Sequence, residues 1–246
     1  MMNNKITIAM PYYEAPEMLR EHLKYWHEYT EEVKENTRVV LVDDGSPTYP
    51  ALEVLKGADL PSFSIELYRV LENIPWNHGG ARNLCMDRVP KDGWVLTTDI
   101  DLVIDVESME KLMSFELDPT KVYLPNRLNK QDDGWVVLKR HPESFVMTRD
   151  MFWKIGGFDE DFTGYWNGCF TPFRFAMKRH TKRILFDDIY LKNHSNLIEG
   201  AMVTEWGRRG SKYDIHNNLD EYLKRRFVKR HYAPKNPLRF NWERVL

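Results

Sequence analysis

Two aspartates one residue apart, Asp99 and Asp101, are the residues of this sequence best suited to chemistry. They lie between two apolar runs, residues 94–98 and 102–104, whose Val, Leu and Ile content is typical of a buried strand. A charged carboxylate is costly there unless it is paired, hydrogen-bonded or bound to a metal. If extended geometry persists, both carboxylates share one face and could seat a divalent cation that also binds phosphate oxygens. An Asp-rich turn at the end of a strand is the alternative.

The composition is that of an ordinary globular protein. Its 246 residues are 42% hydrophobic and 29% charged, which suits one α/β domain with a sizeable core and argues against disorder. Two cysteines, Cys85 and Cys169, are too few for a disulfide framework, and no Cys/His cluster has zinc spacing. No apolar run is long enough for a transmembrane segment or a signal-peptide core, so we expect a cytoplasmic protein.

The charge is unevenly distributed along the chain. Residues 1–205 carry 24 Lys and Arg against 33 Asp and Glu, whereas residues 206–246 carry 11 against 4. We therefore expect a main domain at residues 1–205 and a basic C-terminal extension at residues 206–246 packed on it. The extension could meet nucleic acid or an acidic membrane surface, or it could be a solvated helix or a tail docked on the acidic body.

Strand and helix patterns alternate along the first part of the chain. Apolar runs at residues 6–10, 38–42 and 64–70 predict strands, and residues 16–33 have apolar side chains at helical spacing. This order predicts a mostly parallel sheet with crossover helices. We expect Pro11 to end the first strand, because proline cannot extend a central strand. Ligands of such sheets bind beyond the carboxyl ends of the strands.

Polar segments at residues 11–14, 43–46 and 99–101 follow the apolar runs 6–10, 38–42 and 94–98, so we expect them to meet at one edge of the sheet. Two glycines and an arginine lie between the third strand and Asp99. Gly79 and Gly80 precede a predicted helix, where backbone N–H groups could face an anion or simply form a loop and cap.

Five short motifs occur in a fixed order along the chain. They are Pro11-Tyr12-Tyr13-Glu14, Val42-Asp43-Asp44-Gly45-Ser46, Gly80-Ala81-Arg82-Asn83, Thr98-Asp99-Ile100-Asp101 and Gly156-Gly157-Phe158-Asp159-Glu160-Asp161-Phe162. Together they resemble the GT-A-fold glycosyltransferases, especially the large family-two group. The resemblance implies an α/β GT-A fold, with a Rossmann-like, mostly parallel central sheet, flanking helices and here a basic C-terminal extension. It also implies transfer of a sugar from a nucleotide-sugar donor to a hydroxyl acceptor.

The resemblance assigns donor contacts to residues at the strand ends and around the predicted helix start. These residues are Pro11, Tyr13, Glu14, Asp43, Asp44, Trp76, His78, Arg82 and Asp99. A UDP-sugar is the favoured donor. By the same resemblance Asp101 coordinates Mn²⁺ or Mg²⁺ on the diphosphate, and Asp99 and His194 are further candidates for the metal site. Trp76 could instead belong to the core or a lid, and His194 could instead be a surface or supporting histidine.

The catalytic base is where the sequence departs from the family. Members commonly place an acidic pair shortly after the motif that ends at Phe162, whereas residues 164–169 contain no carboxylate. Asp161 or Asp159 is then the candidate base, unless a residue elsewhere takes the role or the reaction retains configuration. Asp159 also suits a turn or a helix start.

The acceptor candidates are aromatic, amide and basic side chains: Trp166, Asn167, Arg208, Arg209, Lys224, Arg225 and Arg226. His141 and Glu143, just beyond a predicted hairpin turn at residues 130–134, are further acceptor candidates. Basic residues interleaved with aromatics suit nucleic-acid contact.

The sharpest acceptor hypothesis is hydroxymethylated pyrimidine in duplex DNA, as in bacteriophage-type enzymes that act in the host cytoplasm. Such an enzyme has to expose the base, by flipping it from the stack. The alternatives are a bacterial transferase of surface polysaccharide or glycolipid synthesis, and a catalytically dead domain that binds a nucleotide sugar. No obligate protein partner is evident from the sequence.

Overall fold

The computed structural model describes residues 4–91, 93–164, 169–198 and 237–246. The described residues form ten strands: β1 (Ile6–Tyr12), β2 (Thr37–Asp43), β3 (Ser64–Val70), β4 (Trp94–Thr97), β5 (Leu102–Val103), β6 (Lys121–Gln131), β7 (Gly134–Leu138), β8 (Phe145–Thr148), β9 (Lys182–Asn193) and β10 (Trp242–Arg244). They also form seven α-helices: α1 (Pro16–His27), α2 (Glu31–Glu35), α3 (Ala51–Lys56), α4 (His78–Arg88), α5 (Val106–Ser114), α6 (Arg149–Ile155) and α7 (Phe170–His180). A short 3-10 helix spans Glu160–Phe162.

The strands belong to one sheet in the order β10-β3-β2-β1-β4-β8-β6-β9-β5, with β7 paired to β6. Strands β3, β2, β1 and β4 are parallel, as the alternation of strand and helix patterns predicts. Beyond β4 the sheet is mixed, because β8 is antiparallel to both of its neighbours while β6 and β9 are parallel. The parallel half therefore brings the carboxyl ends of β1, β2 and β4 to one edge.

Strand β1 continues past Pro11, so the expectation that this proline ends the strand is wrong. Strand β4 pairs with β1 only from Ile6 to Ala9. The Ala9 carbonyl points towards β4, because it accepts the Thr98 N–H. Pro11 is two residues further along and points its nitrogen the same way. Its missing N–H therefore falls where β4 has already ended.

The predicted helix over residues 16–33 is two helices in the structure, α1 and α2. The break occurs at Thr30, whose hydroxyl accepts the Val33 N–H at 3.4 Å and starts α2. A side chain that caps a backbone N–H favours a new helix start over continuation of the preceding helix.

The core has two parts, one on each face of the sheet, because successive strand side chains point to opposite faces. Ile6, Ile8 and Met10 of β1 pack with buried residues of α1, α2, α3 and α5. Ala9 packs on the other face with buried residues of α4, α6 and α7. The sheet therefore lies between two layers of helices.

The last ten residues continue the same sheet. Strand β10 pairs antiparallel with β3, and Trp242 contacts the Tyr68 ring edge-on at 5.8 Å. Phe240 is buried against α4.

The expected boundary at residues 205 and 206 lies outside the described residues. Across the described ranges, we find no helix with the length and apolar character needed to span a membrane.

Candidate functional site

Asp99 and Asp101 lie in a turn, because β4 ends at Thr97 and β5 begins at Leu102. Extended geometry therefore does not persist through Asp99 and Asp101, and the strand-end turn is confirmed. The Leu102 N–H donates to the Asp99 carbonyl at 3.1 Å, and His22 Nε2 contacts the Ile100 carbonyl at 2.8 Å. These contacts fix the turn at the carboxyl edge of the sheet.

Asp99 is surrounded by positively charged and imidazole groups. One of its oxygens pairs with the Arg82 guanidinium and lies 3.1 Å from His78 Nε2. The other lies 3.4 Å from His141 Nε2. Burial raises the pKa of Asp99, but the nearby Arg82 and the two histidines outweigh it and hold the pKa well below its usual range. Asp99 is therefore charged at neutral pH.

Arg82 is fully buried, and its guanidinium is hydrogen-bonded to side chains and a backbone carbonyl of the protein. Besides pairing with Asp99, its Nη1 donates to the Thr97 hydroxyl at 2.7 Å and to the Glu143 carbonyl at 3.1 Å. A buried guanidinium with these partners fixes the position of Asp99 and of the loop before β8. The predicted donor contact of Arg82 would have to act through Asp99.

Asp99, His141 and Glu143 form a cluster whose potential ligand atoms all lie within 4.8 Å of one another. The β4–β8 register creates it: Thr97 lies opposite Phe145, so the antiparallel course brings Glu143 beside Asp99. Two carboxylates and an imidazole are a suitable donor set for Mn²⁺, so these residues fit a divalent cation.

Ser144 orients the imidazole of this cluster. Its hydroxyl lies 3.1 Å from His141 Nδ1 and 3.2 Å from the Thr98 hydroxyl. A hydrogen bond at Nδ1 leaves Nε2 facing Asp99, which is the arrangement that supporting residues give to metal-binding histidines.

The electrostatics of the cluster favour a cation. Burial, and after it the charge of Asp99, raises the pKa of Asp101 to about 7. The same two causes hold the pKa of Glu143 well above its usual range. Burial lowers the pKa of His141 to about 4, so its imidazole is neutral at pH 7. A divalent cation would relieve the repulsion between the carboxylates of Asp99, Asp101 and Glu143. The neutral imidazole of His141 could bind it directly.

Glu14 shapes the loop that follows β2. Its Oε1 accepts the N–H groups of Thr48 and Tyr49 at 2.8 and 3.0 Å. Its Oε2 is buried and has no hydrogen-bond partner in the described part of the chain. Its φ of 50° is in the left-handed region, a strain that residues near functional sites often carry. Tyr13 donates its hydroxyl to Asn73 Oδ1 at 3.2 Å.

The two aspartates after β2 differ in their partners. Both oxygens of Asp43 accept backbone N–H groups, from Ser46 at 2.8 Å and Ala51 at 2.9 Å, and burial raises its pKa. Asp44 Oδ1 accepts Asn77 Nδ2 at 2.9 Å. Asp43 therefore holds the start of α3, whereas Asp44 joins β2 to the start of α4.

The glycines at the start of α4 serve close packing. A Cβ on Gly80 would lie 2.3 Å from Asn77 Oδ1 and 2.7 Å from the Phe240 ring, and one on Gly79 would lie 2.9 Å from the Cys169 sulfur. Both glycines are buried, which supports the helix-start interpretation over an open anion site. Trp76, just before them, also has a left-handed φ, of 43°.

His194 lies near Asp101 but outside the three-residue cluster. Its backbone N–H donates to the Asp101 carbonyl at 2.9 Å. Its ring nitrogens lie 3.3 Å from the Tyr25 hydroxyl and 3.8 Å from the Glu21 carboxylate. The metal-ligand roles that the resemblance assigns to Asp101 and His194 stay predictions.

The candidate bases have contacts that suit structural roles. Asp159 Oδ1 accepts the Asp161 N–H at 3.0 Å and caps the 3-10 helix, which is the turn role left open for it. The Asp161 carboxylate lies 2.6 Å from Arg239 Nη1. Their role as base stays a prediction. The other candidates, Trp166, Asn167, Arg208, Arg209, Lys224, Arg225 and Arg226, lie outside the described residues.

Sequence reasoning missed the cluster role of His141 and Glu143, which it placed among acceptor contacts. The signal available in the sequence was that Glu143 comes two residues before Phe145, the first residue of β8. This spacing places Glu143 beside Asp99 only because β8 pairs antiparallel with β4.

Comparison with known proteins identifies the family. The profile of glycosyl transferase family 2 matches residues 7–184. A comparison with curated protein sequences gave no significant match.

Several solved structures are similar to the chain. The mannosyltransferase PcManGT from Pyrobaculum calidifontis, in complex with GDP-Man and Mn²⁺, has a TM-score of 0.60 and 16% identity over 96% of this chain and 67% of that one. S. aureus TarS 1-349 in complex with UDP-GlcNAc has a TM-score of 0.67 and 15% identity over 95% and 68%. GalNAc-T7 with UDP, GalNAc and Mn²⁺ has a TM-score of 0.58 and 14% identity over 78% and 44%.

These likenesses confirm the predicted GT-A fold, a central sheet flanked by helices. The family profile spans most of the chain, from β1 into β9. The protein belongs to glycosyl transferase family 2 and is a glycosyltransferase.

Proposed function

We propose that the protein transfers a sugar from a nucleotide-sugar donor to a hydroxyl acceptor with the help of Mn²⁺ or Mg²⁺. The observation that carries the proposal is the cluster of Asp99, His141 and Glu143 at the carboxyl end of β4. Two of the similar structures hold Mn²⁺ together with GDP-Man or UDP, which supports the same pairing of cation and nucleotide here.

Asp99 Oδ2, His141 Nε2 and the Glu143 carboxylate would hold the cation, and Asp101 lies near enough for the charge of Asp99 to raise its pKa. When bound, the cation would neutralise charge on the departing diphosphate as a Lewis acid. The chain itself prepares the site, because Arg82 keeps Asp99 charged and Ser144 points His141 Nε2 at it. Asp101 with His194, as the resemblance assigns them, is the alternative ligand pair.

The nucleoside would lie along the ends of β1 and β2. Pro11, Tyr13 and Asp44 are the donor candidates there, and UDP is the favoured nucleotide because TarS and GalNAc-T7 were solved with UDP-GlcNAc and UDP. Glu14 and Asp43 would act by holding the loop that borders this pocket, since their bonds go to its backbone N–H groups.

Asp161 is the proposed base, and Asp159 the second candidate. Removing a general base lowers kcat by 10²–10⁴-fold in typical enzymes, while donor binding is kept. Asp161→Asn should therefore reduce turnover and leave the nucleotide-induced rise in melting temperature unchanged. Unreduced turnover in both Asp161→Asn and Asp159→Asn would assign the base to another residue.

The donor proposal is tested by thermal unfolding with a panel of nucleoside diphosphates, with Mn²⁺ or with EDTA. We expect a rise in the melting temperature with UDP and Mn²⁺ that EDTA removes. Lys56→Gln, at an exposed residue of α3, is the control variant and should keep the rise. No rise with any nucleoside diphosphate would contradict the donor proposal.

A second proposal concerns the acceptor. The 11 Lys and Arg against 4 Asp and Glu in residues 206–246 favour an anionic acceptor, with hydroxymethylated pyrimidine in phage DNA as the sharpest candidate. Incubation with a nucleotide-sugar panel and hydroxymethylated duplex DNA should raise the mass of the digested nucleoside by one sugar. Charge reversal at Lys224, Arg225 and Arg226 should weaken DNA binding and flatten its salt dependence.

An unchanged nucleoside mass across the whole panel would overturn the DNA proposal. Transfer to a lipid-linked or polysaccharide acceptor would then support the surface-glycan alternative. Donor hydrolysis or transfer of any kind would contradict the catalytically dead alternative.

A further inference from the structure

Residues 174–183 form a basic segment within an otherwise acidic part of the chain. They include five Lys and Arg and one histidine, with no Asp or Glu, whereas residues 1–205 as a whole carry 33 acidic against 24 basic residues. The segment spans the second half of α7 and the start of β9. Its charge is therefore local and is not explained by the composition of the domain.

Helix α7 presents part of this segment to solvent. Its inner face packs into the core through residues such as Phe173, whereas Arg174, Phe175, Lys178 and Arg179 are exposed. Phe175 is 44% exposed, and Lys178 Nζ lies 5.5 Å from the centre of its ring. The outer face of α7 thus combines cations with an aromatic ring.

Strand β9 extends the same surface. Arg183 is exposed, and Leu185 is 53% exposed. Ile184 packs into the core on the sheet face opposite α7, so Arg183 and Leu185 point to the face that α7 covers. The exposed side chains of α7 from Arg174 to Arg179 and those of Arg183 and Leu185 therefore lie on the same side of the sheet, and we name them the α7–β9 face.

We propose that the α7–β9 face docks on the surface of an anionic phospholipid bilayer. Its cations complement lipid phosphates, and each Lys or Arg held near such a surface adds to the attraction. Phe175 and Leu185 project among these cations, which suits shallow insertion at the boundary of headgroups and acyl chains. A nucleic-acid backbone would use the cations but would gain nothing from an exposed leucine.

The α7–β9 face borders the candidate site. Arg174 lies close enough to Glu143 for its charge to oppose the effect of burial on that carboxyl group. A bilayer on this face would lie beside the acidic cluster, where a membrane-resident acceptor could reach the donor. The docking itself does not depend on the proposed sugar transfer, so the two can fail separately.

Co-sedimentation of the full chain with phosphatidylcholine vesicles, with and without phosphatidylglycerol, tests the docking. We expect binding only with phosphatidylglycerol, weakening as salt screens the charges. Removing three charges with Lys178→Gln, Arg179→Gln and Arg183→Gln should weaken binding about fivefold per charge, on the order of 100-fold in total. The matched control removes three exposed charges from α1 and α3, with Arg20→Gln, Lys24→Gln and Lys56→Gln, and should bind as the wild type does.

A second variant tests the apolar contribution. Phe175→Ser with Leu185→Ser should weaken vesicle binding by roughly tenfold and leave its salt dependence unchanged, because no charge is lost. An unchanged melting temperature of each variant would show that the fold is intact.

Three results would overturn the proposal. One is vesicle binding that is absent, or equal with and without phosphatidylglycerol. Another is binding that survives both α7–β9 variants but is lost when Lys224, Arg225 and Arg226 become Gln, which would assign it to the C-terminal extension. The third is tight binding of duplex DNA in place of vesicles, lost with the three charges and kept in Phe175→Ser with Leu185→Ser.

Discussion

His141 Nε2 lies 3.4 Å from Asp99 Oδ2, although a helix and a β-hairpin separate the two residues in sequence. The contact exists because β8 returns antiparallel beside β4 and brings the residues before Phe145 to the end of that strand. Asp99 is held from its other side by Arg82. The candidate metal cluster is therefore a product of strand register and of one buried ion pair.

The buried Arg82–Asp99 pair should contribute strongly to stability. Arg82→Gln would leave Asp99 charged and without its main partner, and breaking a buried pair in this way costs about 3–5 kcal/mol. Urea unfolding measures the loss. Lys24→Gln, whose side chain is 71% exposed, should change the free energy of unfolding by less than about 1 kcal/mol. Equal effects of the two variants would contradict the role given to Arg82.

Acidification should destabilise the fold through His22. Burial lowers the pKa of His22 from 6.5 to about 4, so between these values the unfolded chain binds a proton that the folded chain does not. The stability contribution is therefore present above about pH 6.5 and is lost as the pH falls towards 4, by about 3 kcal/mol. His22→Gln should flatten the pH dependence of unfolding in this window. The control His27→Gln, at a partly exposed side chain, should keep the wild-type slope.

Glu160 should tie the C-terminal residues to the domain. Its carboxylate accepts Asn83 Nδ2 and the N–H groups of Leu238 and Arg239, at 2.8, 2.8 and 3.1 Å. Glu160→Gln removes the charge and points an amide N–H group at these N–H donors. We therefore expect the free energy of unfolding to fall by about 2–3 kcal/mol and amide exchange at Leu238 and Arg239 to become faster.

Asp161→Asn is the control for Glu160→Gln, because its ion pair with Arg239 is about 40% exposed and should contribute less than about 1 kcal/mol. Amide exchange at Leu238 that is unchanged in Glu160→Gln would argue against the anchoring role.

Two glycines should respond differently to alanine. Gly80→Ala places a Cβ 2.3 Å from Asn77 Oδ1 and 2.7 Å from the Phe240 ring, so we expect it to destabilise the protein by about 2 kcal/mol. A Cβ on Gly57 meets its nearest atom, the Glu53 carbonyl oxygen, at 3.7 Å. Gly57→Ala should therefore be neutral or stabilising by about 0.5 kcal/mol in thermal unfolding. A neutral Gly80→Ala would contradict the close packing.

Local patterns predicted the parallel half of the sheet well, because each strand there is a continuous apolar run. Residues 64–70 were predicted as a strand and are β3, and residues 38–42 lie within β2. Pro11 was misjudged because the rule against proline in a central strand presumes partners on both sides, and β4 has ended there. The sequence pattern predicted one helix where the structure has α1 and α2, because the cap at Thr30 depends on its backbone geometry.

The site was predicted less completely than the fold. The importance of Asp99 follows from its spacing to Asp101 and from the ordered motifs, whereas the inclusion of His141 and Glu143 depends on tertiary register. Glu14 and Asp43 were assigned to donor binding by resemblance. Their oxygens accept backbone N–H groups of nearby loops, and no sequence pattern shows which N–H groups a carboxylate will meet.

Calorimetric titration of Mn²⁺ into the protein in the presence of UDP tests the proposed metal site most directly. We expect one cation site that is weakened at least about tenfold in His141→Gln and in Glu143→Gln, and is kept in His194→Gln. Wild-type affinity in His141→Gln and Glu143→Gln, with loss in His194→Gln, would contradict the Asp99–His141–Glu143 cluster and assign the cation to Asp101 and His194.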